Sequence, residues 1–367
     1  MNIETINLLL LNQKTYYYNL TKKMIINNHT KVFLSILVAL TFIQCKTPAY
    51  KMNYQENYLS ESDKAIKQFT IPPYLKPGDT IMIVAPAGFL RDSTEIDAGV
   101  ELAKSWGLNI KLGKNLFKRH NHFAGTDLER QNDMQEALDD KNIKAIWCSR
   151  GGYGTVRIID ELNFTAFKKN PKWIIGYSDI TTLHEQVHRL GFASIHATMP
   201  GGMKRASPEA KETLYKSLFG QDLTYEITTN PLNKLGTSKG VLIGGNLSIV
   251  MSMLGSNSDI DPKGKILFIE DVGEDLYRVD RMMYTLKRNG FLKDLKGIIV
   301  GDFDYKTEEN AEFGGTQREI ILNVVKEYDY PVIFDFPAGH IRNNHAMTFG
   351  KKVKLESNAQ SVKISYL

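Results

Sequence analysis

From Pro72 onward, short apolar runs alternate with amphipathic stretches, and this alternation limits the chain to an α/β fold built around a parallel sheet. TIMIVAPAG (80–88) reads as a buried strand entering a turn, and STEIDAGVELAKSW (93–106) places Ile96, Val100, Leu102 and Ala103 on one helical face. A short strand over 109–112 follows. Thr126 and Glu129 then form a capping box that opens a helix reaching about Asp140. Strands over 144–149, 172–178 and 193–197 and helices over 154–162 and 179–190 complete an N-terminal parallel-sheet domain at 71–200. Residues 201–239 hold one helix near 208–219 and then the polar run TTNPLNKLGTSKG, read as a linker. A smaller C-terminal α/β domain at 240–367 has strands over 266–271, 297–302 and 330–336, with helices over 277–288 and 318–328. Its last segments, MTFGKKVKLE and SVKISYL, alternate as half-buried antiparallel strands do.

Charge excludes one class of partner. The net charge of the 367 residues is +5, but residues 1–45 hold four lysines against one glutamate, leaving only +2 on the rest. A body that close to neutral has no electrostatic footprint for a phosphate backbone, so no nucleic acid is expected. The basic leader has its own meaning. VFLSILVALTFI (32–43) is too short to span a bilayer and follows a lysine-bearing segment, as a secretory signal does, and it ends at Cys45. This resembles a bacterial lipoprotein signal, with Phe42 and Gln44 at positions where such signals usually carry leucine and a small residue. Residues 1–45 are therefore read as leader, with Met24 as a plausible start, and the polar stretch 46–70 as a tether. Lipidation of Cys45, or an uncleaved anchor, would each hold the body at a membrane outside the cytoplasm.

Ser178 stands where the buried run WIIGYS meets the helix SDITTLHEQVHRL, with Gly176 two positions before it. That is the topology of a nucleophile elbow, although Ile180 occupies the place of the usual second glycine. The same serine could instead cap the helix. A serine nucleophile needs a base, a group to orient that base, and oxyanion donors. Glu270 ends the strand ILFIE, where open α/β sheets put functional groups, and His340 lies in the loop PAGHIRNNH. Alternatively, Glu270 pairs with Arg278 or Arg281 and His340 is a solvated loop residue; Glu274, Asp271 and His345 are neighbouring candidates. The turn SRGGYG (149–154) offers backbone N–H groups for an oxyanion. His184-Glu185-Gln186-Val187-His188 is a literal HExxH, the pattern of a zinc peptidase, with His196 nearby; the other reading is a helix face with a chance match.

PPYLKPGDTIMIVAPAG, CSRGGYGTVRIID, KWIIGYSDITTLH, GVLIGGNL, IEDVGEDLYRVDRMM and GHIRNNHAMTFG, in that order, resemble the LD-carboxypeptidases, serine peptidases that include the microcin C immunity peptidase. The resemblance covers 72–367. It implies a nucleophile domain, a C-terminal domain bearing the acid and the base, and a site in the cleft between them. It further implies Ser178 as nucleophile, Glu270 as acid, His340 as base, and the backbone N–H groups of Gly152 and Asp179 as the oxyanion hole. No metal and no cofactor are implied. The substrate implied is a peptidoglycan tetrapeptide, cut before its terminal D-alanine, and members of the family favour dimers. The departing residue's carboxylate calls for a cation, for which Arg150 and Arg342 are the candidates by location. The rival classes are the HExxH zinc peptidase and a non-catalytic lipoprotein that binds wall peptides.

Overall fold

The computed structural model describes residues 68–305 and 313–367; the leader, Cys45 and nearly all of the tether lie outside the described residues. Its elements run β1 (Thr80–Val84), α1 (Asp97–Ser105), β2 (Asn109–Leu112), α2 (Asp127–Asp139), β3 (Ile143–Cys148), α3 (Thr165–Lys169), β4 (Trp173–Gly176), α4 (Thr181–Arg189) and β5 (Ser194–His196). There follow α5 (Pro208–Phe219), β6 (Thr224–Thr228), β7 (Gly236–Asn246), α6 (Leu247–Met253), β8 (Lys265–Glu274), α7 (Leu276–Asn289) and β9 (Gly297–Tyr305). The chain ends with α8 (Gln317–Val325), β10 (Val332–Ile333), β11 (Met347–Phe349), β12 (Lys352–Ser357) and β13 (Ser361–Tyr366).

Two sheets carry the α/β architecture. The first has the order β11-β5-β4-β3-β1-β2, and its first five strands in sequence pair in parallel. Strand alternation sends Ile81, Ile83, Ala145, Trp147 and Ile175 to one face, and Met82, Val84, Ile146, Cys148 and Ile174 to the other. Helices cover both faces, which is why these strands read as unbroken apolar runs. The second sheet has the order β10-β9-β8-β7-β12-β13-β6: β7 to β10 are parallel, and β12, β13 and β6 add on antiparallel. Its two faces bury Ile243, Leu267, Ile269 and Val300 on one side and Leu242, Ile266, Phe268 and Ile299 on the other. Each such side chain contributes about 1.5–3 kcal/mol by leaving water.

The observed elements depart from expectation where tertiary contacts overrule local pattern. Residues 154–162 form two 3-10 turns, Thr155–Arg157 and Ile159–Glu161, in place of one helix. Four β-branched residues within five positions, Thr155, Val156, Ile158 and Ile159, propagate a helix poorly, and the segment's start is tied elsewhere, with Thr155 N donating to Asp179 Oδ2 at 2.9 Å. The strand expected over 330–336 shrinks to β10, because Pro331 has no N–H and Asp335 turns the chain with φ 63°. Within 201–239, the stretch after α5 is more than a linker, since β6 there forms the edge of the second sheet against β13. The capping box at Thr126 is present, with Glu129 Oε2 accepting from Thr126 N at 2.8 Å.

One crossing positions the site. After β10 in the second sheet the chain passes through residues 334–346 and enters the first sheet as β11, antiparallel to β5 with Met347 opposite His196. The loop that carries His340 is therefore anchored at one end in each sheet. A second tie joins the sheets directly, for Asn246 N at the end of β7 donates to Thr181 Oγ1 at the start of α4.

Candidate active site

Ser178 has φ 63° and is one of three non-glycine residues in the left-handed region among the described residues. That conformation costs an L-residue about 1–2 kcal/mol and is held here by the sharp passage from β4 into the 3-10 turn Ser178–Ile180 and then α4. One glycine suffices for the elbow. An ideal Cβ on Gly176 would fall 2.8 Å from Ile180 Cγ2, so the missing side chain at 176 makes the space that Ile180 fills. The capping alternative for Ser178 fails, because neither the 3-10 turn nor α4 has a side-chain cap. Gly151 packs directly on the hydroxyl, and an ideal Cβ there would lie 3.0 Å from Ser178 Oγ. The RGG turn can approach the nucleophile only because 151 lacks a side chain.

Glu270 is wholly buried in β8, and its Oε2 accepts from His340 Nδ1 at 2.7 Å. The alternative of a surface pair with Arg278 fails, since Arg278 pairs with Glu274 and Asp275. The pairing of β8 with β9 slips opposite Glu270, between Ile269 and Asp271, and the extra β9 residue lies at Gly301–Asp302. The His340 loop docks on this bulge through Asp302 N donating to Ala338 O at 2.8 Å. Gly339, at φ 131°, lets the loop lie flat, for an ideal Cβ there would sit 3.2 Å from Glu270 Oε2. The imidazole is 19% exposed and packs edge-on against Tyr177, the residue before the nucleophile, at 5.0 Å between centroids. The two sheets thus bring Ser178 with Tyr177 and Glu270 with His340 into one place.

Electrostatics set the proton positions. Burial alone would lower the affinity of His340 for a proton, but the hydrogen bond and charge of Glu270, supported by Asp271 and Asp302, raise its pKa above the ordinary value. With Nδ1 donating to a carboxylate, neutral His340 presents Nε2 as an acceptor. Asp271 is pushed up to about 7, first by burial and then by the adjacent Glu270 charge. Its carboxylate accepts from Asn246 Nδ2 and Ser248 N, both at 2.9 Å, and so ties β8 to the start of α6. Sequence reasoning missed this Asn246–Asp271 tie, whose only local signal was an asparagine ahead of an unrecognised short helix. Burial also raises the Tyr177 hydroxyl to about 12.

Gly152, at φ 106°, follows Gly151, and its N–H donates to no acceptor among the described residues. The N–H of Asp179 lies in the first turn after the elbow, where helical geometry supplies no internal acceptor. Asp179 contributes a side chain as well: burial raises its pKa while its Oδ2 holds Thr155 N, fastening the segment after the RGG turn to the elbow. Of the remaining candidates, Glu274 pairs with Arg278, and His345 stacks on Tyr225 at 5.6 Å.

The two histidines of HEQVH have structural roles beneath the elbow. His184 Nε2 lies 2.9 Å from Gly176 O, which can only accept, so Nε2 carries the proton and Nδ1 accepts from Ser194 Oγ at 2.8 Å. Ser194 Oγ in turn accepts from His188 Nε2 at 3.1 Å. Both imidazoles are buried, and desolvation holds His184 down at about 4. His196 packs its ring among Tyr177, Phe268 and Phe349. We expect His188→Ala to lower stability by ~2 kcal/mol in denaturant titrations while enzyme dialysed against EDTA keeps its turnover. Activity lost to EDTA and restored by zinc would reverse that assignment.

A strained serine at a strand-to-helix elbow, with a buried glutamate–histidine pair delivered by a second sheet, is the arrangement of a hydrolase. The family patterns described as LD-carboxypeptidase N-terminal domain and LD-carboxypeptidase C-terminal domain match residues 81–197 and 239–355. The chain belongs to the LD-carboxypeptidase family and is a carboxypeptidase. It is 36% identical over 293 residues to a Bacillus subtilis protein named "Probable murein peptide carboxypeptidase", covering 78% of this chain and 91% of that one. It is 30% identical over 293 residues to the murein tetrapeptide carboxypeptidase of Pseudomonas aeruginosa, covering 76% of this chain and 93% of the relative. The crystal structure of muramoyltetrapeptide carboxypeptidase from Oxalobacter formigenes superposes with a TM-score of 0.72 at 27% identity, over 78% of this chain and 98% of that one.

Proposed function

We propose that the protein is a serine LD-carboxypeptidase that removes the terminal D-alanine from murein tetrapeptides. The observation that carries this reading is the 2.7 Å Glu270–His340 bond set beside an elbow that strains Ser178. Ser178 attacks the scissile carbonyl carbon as His340 Nε2 takes the hydroxyl proton, and Glu270 stabilises the imidazolium. The Gly152 and Asp179 amides receive the oxyanion, at about 2.7–4 kcal/mol per donor. His340 then gives its proton to the leaving nitrogen, D-alanine departs, and water repeats the cycle on the acyl-enzyme. The relatives' names support the murein substrate. Incubation with defined tri-, tetra- and pentapeptides, read by mass spectrometry, should show loss of one D-alanine from the tetrapeptide and at least tenfold slower cleavage of the pentapeptide; equal cleavage of both would sink the reading.

We also propose that the enzyme is exported and held at a membrane by lipid on Cys45, the residue that ends the apolar run of the leader. Cys45→Ala should move the protein from the membrane to the soluble fraction or block its maturation. Identical fractionation of the two forms, with no lipid on the wild type, would rule this out.

A further inference from the structure

Arg130, Arg157, Arg278 and Arg318 all pair with carboxylates. Arg150 does not: among the described residues no carboxylate lies within 4 Å, and its one hydrogen bond runs from Nη1 to Phe89 O at 2.9 Å. It is half-buried all the same, in the turn between β3 and Gly151, the glycine that touches Ser178. Two close approaches hold it there. An ideal Cβ on Gly88 would lie 3.6 Å from Arg150 Nε and 2.9 Å from Gly151 O, while one on Gly201 would lie 3.7 Å from Arg150 Cβ. Gly88 N donates to Gly151 O at 3.0 Å and Gly201 N to Ser149 O at 2.9 Å, so backbone on both sides clamps the turn. The guanidinium is therefore a positioned cation with one edge on a carbonyl and no further protein acceptor among the described residues.

Geometry of the substrate decides what such a cation can read. In a C-terminal residue the scissile carbonyl carbon and the terminal carboxyl carbon are separated by only one nitrogen and one Cα, a span of about 4 Å or less. A group that reads the carboxylate must stand next to the group that meets the nucleophile. Arg150 is adjacent in sequence to Gly151, whereas Arg342 is exposed in the loop beyond His340. A guanidinium fork also matches a carboxylate with two parallel hydrogen bonds.

We propose that Arg150 binds the terminal α-carboxylate of the substrate and thereby makes this site an exopeptidase site. The proposal rests on the function proposed above and names the group that restricts it to chain ends. The test compares an N-acetylated tetrapeptide ending in D-alanine with the same peptide ending in D-alanine carboxamide, using full-length protein. Wild type should prefer the acid by on the order of a hundredfold in kcat/KM, because the amide leaves the cation without its counter-charge. Arg150→Ala should bring that ratio to within about threefold of unity, chiefly through the KM for the acid, with Arg150→Lys intermediate. Labelling of Ser178 by a fluorophosphonate reports whether the turn survives each substitution, and Arg150→Lys decides the matter if Arg150→Ala labels poorly. A ratio left intact in Arg150→Lys and Arg150→Ala, or a wild type indifferent to acid and amide, overturns the subsite alone. A wild type that cleaves neither peptide overturns the proposed function and the subsite together.

Discussion

Replacing Ser178 with alanine should reduce kcat/KM for a tetrapeptide on the order of ten-thousandfold or more, and His340→Ala should do the same. The two losses should not add. Once the hydroxyl is gone, His340 has no proton to take, and once the imidazole is gone, Ser178 stays an alcohol that attacks poorly; the double variant should be within about threefold of either single one. The fold should survive the first change, since Ser178 Oγ makes no cap and alanine occupies less space against Gly151. Some cost in backbone strain remains, because alanine must also adopt φ 63°. Rates from single turnovers, together with far-UV circular dichroism, would check this. A Ser178→Ala enzyme within tenfold of wild type would exclude the serine mechanism.

Glu270→Gln should lower the maximal rate by about 10³ to 10⁴, somewhat less than loss of the nucleophile, because an amide can offer His340 Nδ1 an N–H and favour the wrong tautomer. The pH profile should move with it. Catalysis needs neutral His340, so wild-type activity falls as pH drops through a histidine pKa that Glu270 raises against burial. Removing that charge leaves burial opposed only by Asp271 and Asp302, and the acid limb should shift to lower pH while the plateau falls. A limb that stays in place would mean that the titrating group is not His340. Asp271, at about 7, is then the group to replace next.

The elbow was legible in the sequence because it is local: an apolar run, one glycine, a serine and an amphipathic helix lie within 20 residues. Glu270 was legible by its place on the strand ILFIE, and His340 by its loop. What was not legible depends on partners far away in the chain. The segment after the RGG turn looks helical until Asp179 takes Thr155 N, and HEQVH looks like a metal motif until Gly176 O and Ser194 Oγ occupy both nitrogens of His184. β6 does alternate, with Tyr225 and Ile227 facing the core, but the signal spans only five residues just ahead of the polar run, and its place in a sheet comes from pairing with β13. The short helix α6 has too few residues for a periodic signal, and the insertion of β11 into the first sheet is invisible in MTF itself.

That insertion also fixes when the enzyme can become active. Met347 and His196 are paired although about 150 residues separate them, so the first sheet is completed only when the far end of the chain arrives. Contacts of such long range are the slowest to close. On the proposed mechanism, a chain lengthening from its N-terminus carries Ser178 well before it carries His340. On that mechanism the serine would stay dormant until the segment bearing residue 340 had docked, and any product cut short ahead of it would be a hydrolase scaffold without hydrolase chemistry.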